Sequence, residues 1–233
     1  MKQKLNLLFE SLYDVTRDFV FGMEDGLVSN FALVLGVYFG GGSSTAILLA
    51  GLVSMFAGAF SMSAGSFLSA KSQREVYEYK IKSAEELLKK NPKGKIAEMK
   101  KILKKEGFNT DEIEVFIHHF AHHNHSTFAI NYIQKKVGIS KEKLEHPLKN
   151  ASTMFISFLC GSLFPVFPFF FFTKSTGIIV AATLTIISLF IVGVVQTYYT
   201  KRNPFKSGFE VLGVGVCAGI IGYLIGLAFQ LFA

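Results

Sequence analysis

Residues 19–39 read FVFGMEDGLVSNFALVLGVYF. Apart from Glu24 and Asp25 the stretch carries no charge. At ~1.5 Å per residue, a helix of this length crosses the ~30 Å hydrocarbon core of a bilayer. A carboxylate toward the bilayer centre costs at least ~2.5–3.5 kcal/mol on insertion scales, so such a group normally faces a bundle interior and touches a substrate, an ion or a proton path. The alternative is that both acids lie at the water interface and merely cap the segment. Apolar residues flank the pair on both sides, which favours the buried reading and, with it, a chain that moves a cation.

Working outward, half of the residues are hydrophobic and 25 are phenylalanine, well beyond a soluble enzyme of this size. Four further segments can span: 46–70, 151–172, 177–198 and 208–232, all uncharged except for Glu210 near one end. The predicted fold is all-α, a polytopic membrane protein with five transmembrane helices and a helical cytoplasmic insert between the second and third. Five crossings put the two termini on opposite sides.

Charge orients them. Of the 24 Lys and Arg, 3 precede the first span, 17 lie between Lys71 and Lys149, and Lys201, Arg202 and Lys206 make 3 more. Only Lys174 falls in a turn on the other side. Cytoplasmic loops carry the excess of Lys and Arg, so the N-terminus, the long connection and the 199–207 loop are expected inside, and the C-terminus outside. No cleavable leader is expected. Instead Leu5, Leu8, Phe9, Leu12, Val15 and Phe19 recur at helical spacing, as in an amphipathic helix at the inner interface that runs into the first span. Cys160 and Cys217 lie mid-span without metal spacing and read as small apolar packing residues.

Residues 71–149 form the one sizeable polar region, with 17 basic against 11 acidic side chains. Three helices are expected: 71–90 continuing the second span, 95–106 after the Asn91-Pro92 break and ended by Gly107, and a third opened by an Asn109–Glu112 capping box and running toward Lys136. The chain thus divides into 1–70 (N-terminal helix and first two spans), 71–149 (cytoplasmic helical domain) and 150–233 (last three spans). Within the spans, Gly51, Gly58 and Gly65 recur every seven residues, and Gly215–Gly219 and Gly222–Gly226 are small-xxx-small pairs. Packing inside one subunit and a seam between two subunits both fit those glycines. Pro165 and Pro168 must kink the third span or free carbonyls in it.

Several stretches together carry a resemblance. The first span has Gly22-Met23-Glu24-Asp25-Gly26-Leu27-Val28, then Phe31-Ala32-Leu33-Val34-Leu35-Gly36-Val37. The second has Ala57-Gly58-Ala59-Phe60-Ser61-Met62-Ser63-Ala64-Gly65, with Ser69 and Lys71-Ser72-Gln73-Arg74-Glu75 after it. Gly161 with Pro165 and Pro168, and the loop Arg202-Asn203-Pro204-Phe205-Lys206-Ser207-Gly208, follow in order. Any one match is short; all four in sequence make the chain resemble the vacuolar iron transporter family along nearly its whole length.

The resemblance implies a five-span homodimer that exports Fe2+, and often Mn2+ and other divalent ions, from the cytosol in exchange for protons. It places the in-membrane ion site at Asp25 and Met62. A carboxylate supplies charge and an exchangeable oxygen, while a thioether favours softer transition metals. Glu24 stands where the family commonly has asparagine, and Ser66 where it usually has glutamate, so Glu24 is expected to restore a carboxylate from another helix. The resemblance further implies a glutamate-lined insert that gathers metal. Glu98 keeps one such position and Glu85 and Glu86 lie near two others, while Lys95 and Lys136 stand where acids are expected.

Histidines offer a replacement. His118 and His122, and His119 and His123, are paired at i,i+4, a spacing that can chelate one ion from a helix face. A neutral or pH-sensitive polar face is the alternative. The expected function is therefore divalent-metal export, with metal and protons as substrates, a second copy of the chain and membrane lipid as partners, and neither a prosthetic group nor nucleic acid. A non-transporting membrane protein of the same fold, its basic insert docked on anionic lipid or an acidic protein, is the competing reading. Enzymatic activity is not expected: no span pairs a nucleophile with a base, and the histidines lack the Glu-x-x-His context of a metalloprotease. The Lys- and Phe-rich composition points to a prokaryotic plasma membrane, or to a vacuolar membrane in a eukaryote.

Overall fold

The computed structural model describes residues 2–123, 125–137 and 146–232; the side chains of 2–15, 121–123, 125–126, 137 and 199 lie outside the description. The described residues form helices α1 (Lys2–Phe39), α2 (Ser44–Lys90), α3 (Pro92–Lys105), α4 (Thr110–His123), α5 (His125–Val137), α6 (Pro147–Val166), α7 (Pro168–Phe171), α8 (Lys174–Thr200) and α9 (Pro204–Phe232), with no strand among them. The chain divides into two compact units, Met1–Leu68 with Pro147–Ala233, and Ser69–His146.

Four helices are long and apolar enough to cross a membrane, within Thr16–Phe39, Ser44–Lys90, Lys174–Tyr198 and Pro204–Phe232. The expected third span, 151–172, is α6 and α7 instead of one helix, and α6 is not among those four. The prolines are the physical reason. Neither Pro165 nor Pro168 can donate to the helical ladder, and α6 stops at Val166, with Phe167 between the two pieces. The expected amphipathic N-terminus is continuous with the first span in α1, while its positions Leu5, Leu8, Phe9, Leu12 and Val15 fall outside the described side chains.

In the first unit the helices approach through glycine. A Cβ on Gly22 would collide with Ser157 Oγ and one on Gly26 with the Phe158 carbonyl, so α6 runs parallel to α1 with the backbones nearly touching. Gly219 meets Phe31 and Leu35 while Gly226 meets Gly36 and Phe39, so α9 is also parallel to α1. Gly193 meets Gly208 and Gly215 meets Leu189, which makes α8 antiparallel to α9. On α2, Gly51 faces Val166 and Gly58 faces the Phe158 ring, so this helix is antiparallel to α6. Apolar packing closes two layers: Val20, Leu27, Leu189, Val192 and Val211 in one, and Val34, Ile47, Val166, Phe169 and Ala181 in the other. At the α8–α9 loop, Lys201 takes the left-handed conformation (φ 55°), and Arg202 donates to both carboxylate oxygens of Glu210 at 3.2 and 3.3 Å.

The second unit has its own core of Tyr77, Leu88, Met99, Leu103, Ile113, Phe128 and Tyr132 with their neighbours. Local signals set its breaks. Asn91 Oδ1 accepts from Gly94 N (2.9 Å) with Pro92 in the first turn of α3. Asn109 and Glu112 exchange reciprocal bonds, both 2.8 Å, at the head of α4. Gly107 adopts φ +94° just past α3, the left-handed C-terminal geometry that glycine takes at no steric cost. The stretch expected as one helix toward Lys136 is described as two, α4 and α5; Asn124 lies outside the described residues.

Candidate functional site

Glu24 and Asp25 lie on α1, each half-buried, in a helix whose other faces are taken. Gly22, Gly26 and Asn30 abut α6, while Leu27 is fully buried in the apolar layer shared with α8 and α9. Ser29 Oγ donates to the Asp25 backbone carbonyl (2.6 Å), which leaves the carboxylate uninvolved in that bond. Among the described residues, no lysine, arginine or hydrogen-bond donor engages either carboxylate.

Met62 lies on α2, half-buried, one turn past Gly58. Phe158 of α6 marks a common level: its carbonyl abuts Gly26, next to Asp25, and its ring abuts Gly58. Met62 lies one turn further along α2 from that level, on the Met154 side of α6, and among the described residues no hydrogen bond joins it to Asp25. A carboxylate oxygen and a thioether sulfur are donor types suited to a divalent transition metal.

The second unit is arranged differently from a carboxylate cage. Glu98 on α3 accepts from Lys95 Nζ at 2.8 Å and from Lys136 Nζ of α5 at 2.5 Å, one ammonium on each oxygen. Both lysines also reach Tyr132 Oη, at 3.3 and 2.8 Å, and lie over its ring. The hydrogen bond from Lys136, followed by those from Lys95 and Tyr132, holds the Glu98 carboxyl down at about 2. The same carboxylate bonds raise both lysines above their ordinary value. A divalent ion could reach Glu98 only by displacing two ammonium groups. The lysines expected to repel a metal thus do more: they take up the one carboxylate of that position.

Glu85 is half-buried and Glu86 exposed on α2, and neither is gathered with Glu98 by any hydrogen bond or ion pair. His118 and His119 are exposed on α4, with His119 edge-on to Phe120 (centroids 4.8 Å apart). The side chains of His122 and His123 lie outside the described residues. Among the described residues, no group of three or more His, Cys, Asp or Glu is placed to hold a metal ion. Sequence reasoning missed Tyr132 as the third member of the lysine cluster; its i,i+4 spacing to Lys136 was the available signal.

Comparison with known proteins is consistent over the length of the chain. The profile of the VIT family matches residues 16–227. Vacuolar iron transporter 1 of Eucalyptus grandis is 30% identical over 219 residues, covering 93% of this chain and 87% of that protein. Vacuolar iron transporter 1 of Arabidopsis thaliana is 28% identical over 218 residues, with the same coverage of 93% and 87%. The vacuolar iron transporter of Toxoplasma gondii is 27% identical, covering 94% of this chain and 75% of that protein. With its long apolar helices and a family match spanning both units, the chain is a helical membrane protein of the VIT family.

Proposed function

We propose that the protein carries divalent transition-metal ions, Fe2+ first among them and Mn2+ as a further substrate, out of the cytosol in exchange for protons. The observation that carries this reading is Asp25. It is a carboxylate in an apolar helix with no internal cation among the described residues. A half-buried anion within the membrane span favours a counter-charge, and a metal ion and a proton are the two that can alternate. Glu24, its neighbour, lends a second negative charge that strengthens cation capture.

In this reading the metal enters from the cytosol, binds Asp25 and Met62, and leaves outward as Asp25 takes up a proton. The lysine-rich side is cytoplasmic by the excess of positive charge, and α6 with α7 completes a fifth crossing. Two copies of the chain pair in the membrane. The relatives named as iron transporters support iron as the ion.

Asp25→Asn keeps the shape and removes the charge. In proteoliposomes, Fe2+ or Co2+ flux should disappear while the purified variant remains folded. Wild-type flux through Asp25→Asn would refute the assignment.

A further inference from the structure

Between the two apolar layers of the first unit lies a polar layer that the ion site does not use. α1 contributes Leu27 to one apolar layer and Val34 to the other, and Asn30 stands between them. α8 contributes Leu189 and Ala181 to the same two layers, and Thr185 stands between those. Asn30 and Thr185 therefore occupy one level. Ser162 of α6 joins it: Asn30 Nδ2 donates to Ser162 Oγ at 2.8 Å and to the Gly26 carbonyl at 3.2 Å. All three side chains are 0% exposed.

Two oxygens in this level are left over. Asn30 Oδ1 and Thr185 Oγ1 have no hydrogen-bond partner within the protein. Ser162 cannot supply one, because its own hydroxyl donates to the Phe158 carbonyl at 2.7 Å. Exchanging the two ends of the Asn30 amide only moves the shortfall from an acceptor to a donor. The level thus holds two oxygens without a partner, one of them a hydroxyl that can also donate, and no charge, which suits a water molecule, with two donors and two acceptors of its own.

We propose that Asn30 and Thr185 hold an internal water between α1, α6 and α8. The water donates to Asn30 Oδ1 and accepts from the Thr185 hydroxyl. Asn30 is five residues beyond Asp25, about 140° around the helix and ~7.5 Å along it, so the water lies on a different side of α1 from the acids. The water site stands independently of the exchange reading above.

The thermal midpoint of the full-length protein in detergent decides the water site. Thr185→Val and Asn30→Leu replace each oxygen-bearing group by an apolar one of similar size. If the oxygens were bare, each substitution would remove a desolvation penalty and raise the midpoint, and the two gains would add. With a shared water, each should lower it by about 2–4 °C, and the double variant should lose less than the sum. Raised midpoints, or strict additivity, overturn the site. Because Asn30→Leu also removes bonds to Ser162 and Gly26, Thr185→Val alone carries the sign of the effect. The thermal cycle needs no transport, so failure of the water site and failure of the exchange reading are seen separately.

Discussion

Gly161 of α6 packs directly on the carbonyl of Met23 of α1, the residue before the acidic pair: a Cβ on Gly161 would overlap the Met23 oxygen and stand 3.0 Å from its carbon. Both atoms in the way belong to the backbone, so no side chain can swing aside. The depth and rotation of Glu24 and Asp25 are thereby tied to α6.

Gly161→Ala should push α6 off α1. Overpacking of this kind costs about 1–3 kcal/mol, a drop in thermal midpoint of several degrees for a chain this long. Metal flux should fall more than stability, because the acids move with the helix. A Gly161→Ala variant with the wild-type midpoint would show that the two helices separate freely.

Met62→Leu preserves volume and removes the sulfur. Flux of Fe2+ and Co2+ should weaken more than that of Mn2+, since the harder ion gains least from a thioether. Equal loss for all three metals in competition assays would mark Met62 as a packing residue.

The Glu98 cluster predicts an acid limb in stability. Its carboxyl is held at about 2, against an ordinary 4.5, so its contribution is fully present above pH 4.5 and is lost as the pH falls through about 2. The pair is partly exposed, with 36% of the Glu98 side chain accessible, and solvent screening keeps the effect near the ~1 kcal/mol of surface ion pairs. Glu98→Gln should flatten thermal midpoints between pH 4.5 and 2. An unchanged acid limb in that variant would remove the cluster from the stability of the second unit.

Metal binding by the second unit should be weak in the native chain and should improve when Lys95 and Lys136 are both changed to Gln, which releases Glu98. In an Asp25→Asn background, calorimetry with Zn2+ or Co2+ reads this unit alone. Residual binding should disappear when His118, His119, His122 and His123 are changed to Ala. Tight binding that survives those changes would mean that Glu85 and Glu86 gather metal without Glu98.

What the sequence determined by itself was local. The cap at Asn109, the stop at Gly107 and the break at Pro165 and Pro168 each depend on residues within about four positions of one another, and each stands in the structure where the pattern puts it; the break after Lys90 also stands, but α3 begins at Pro92, capped by Asn91, and not at 95 as the pattern suggests. Four of the apolar stretches expected to span were legible for the same reason, because length and hydropathy are properties of one segment. Partners across the bundle were not legible. Gly215, Gly219, Gly222 and Gly226 fit an internal seam or a subunit seam equally well as a string of letters; only the packing of α9 shows Gly219, Gly222 and Gly226 against α1 and Gly215 against α8. Asn30 finds Ser162 from 132 residues away, and Lys136 finds Glu98 from 38. Helical periodicity tells which residues share a face, whereas the rotation of each helix about its axis is decided by close packing with its neighbours. In this chain that rotation aims two lysines at Glu98 and leaves Asp25 without an internal cation among the described residues.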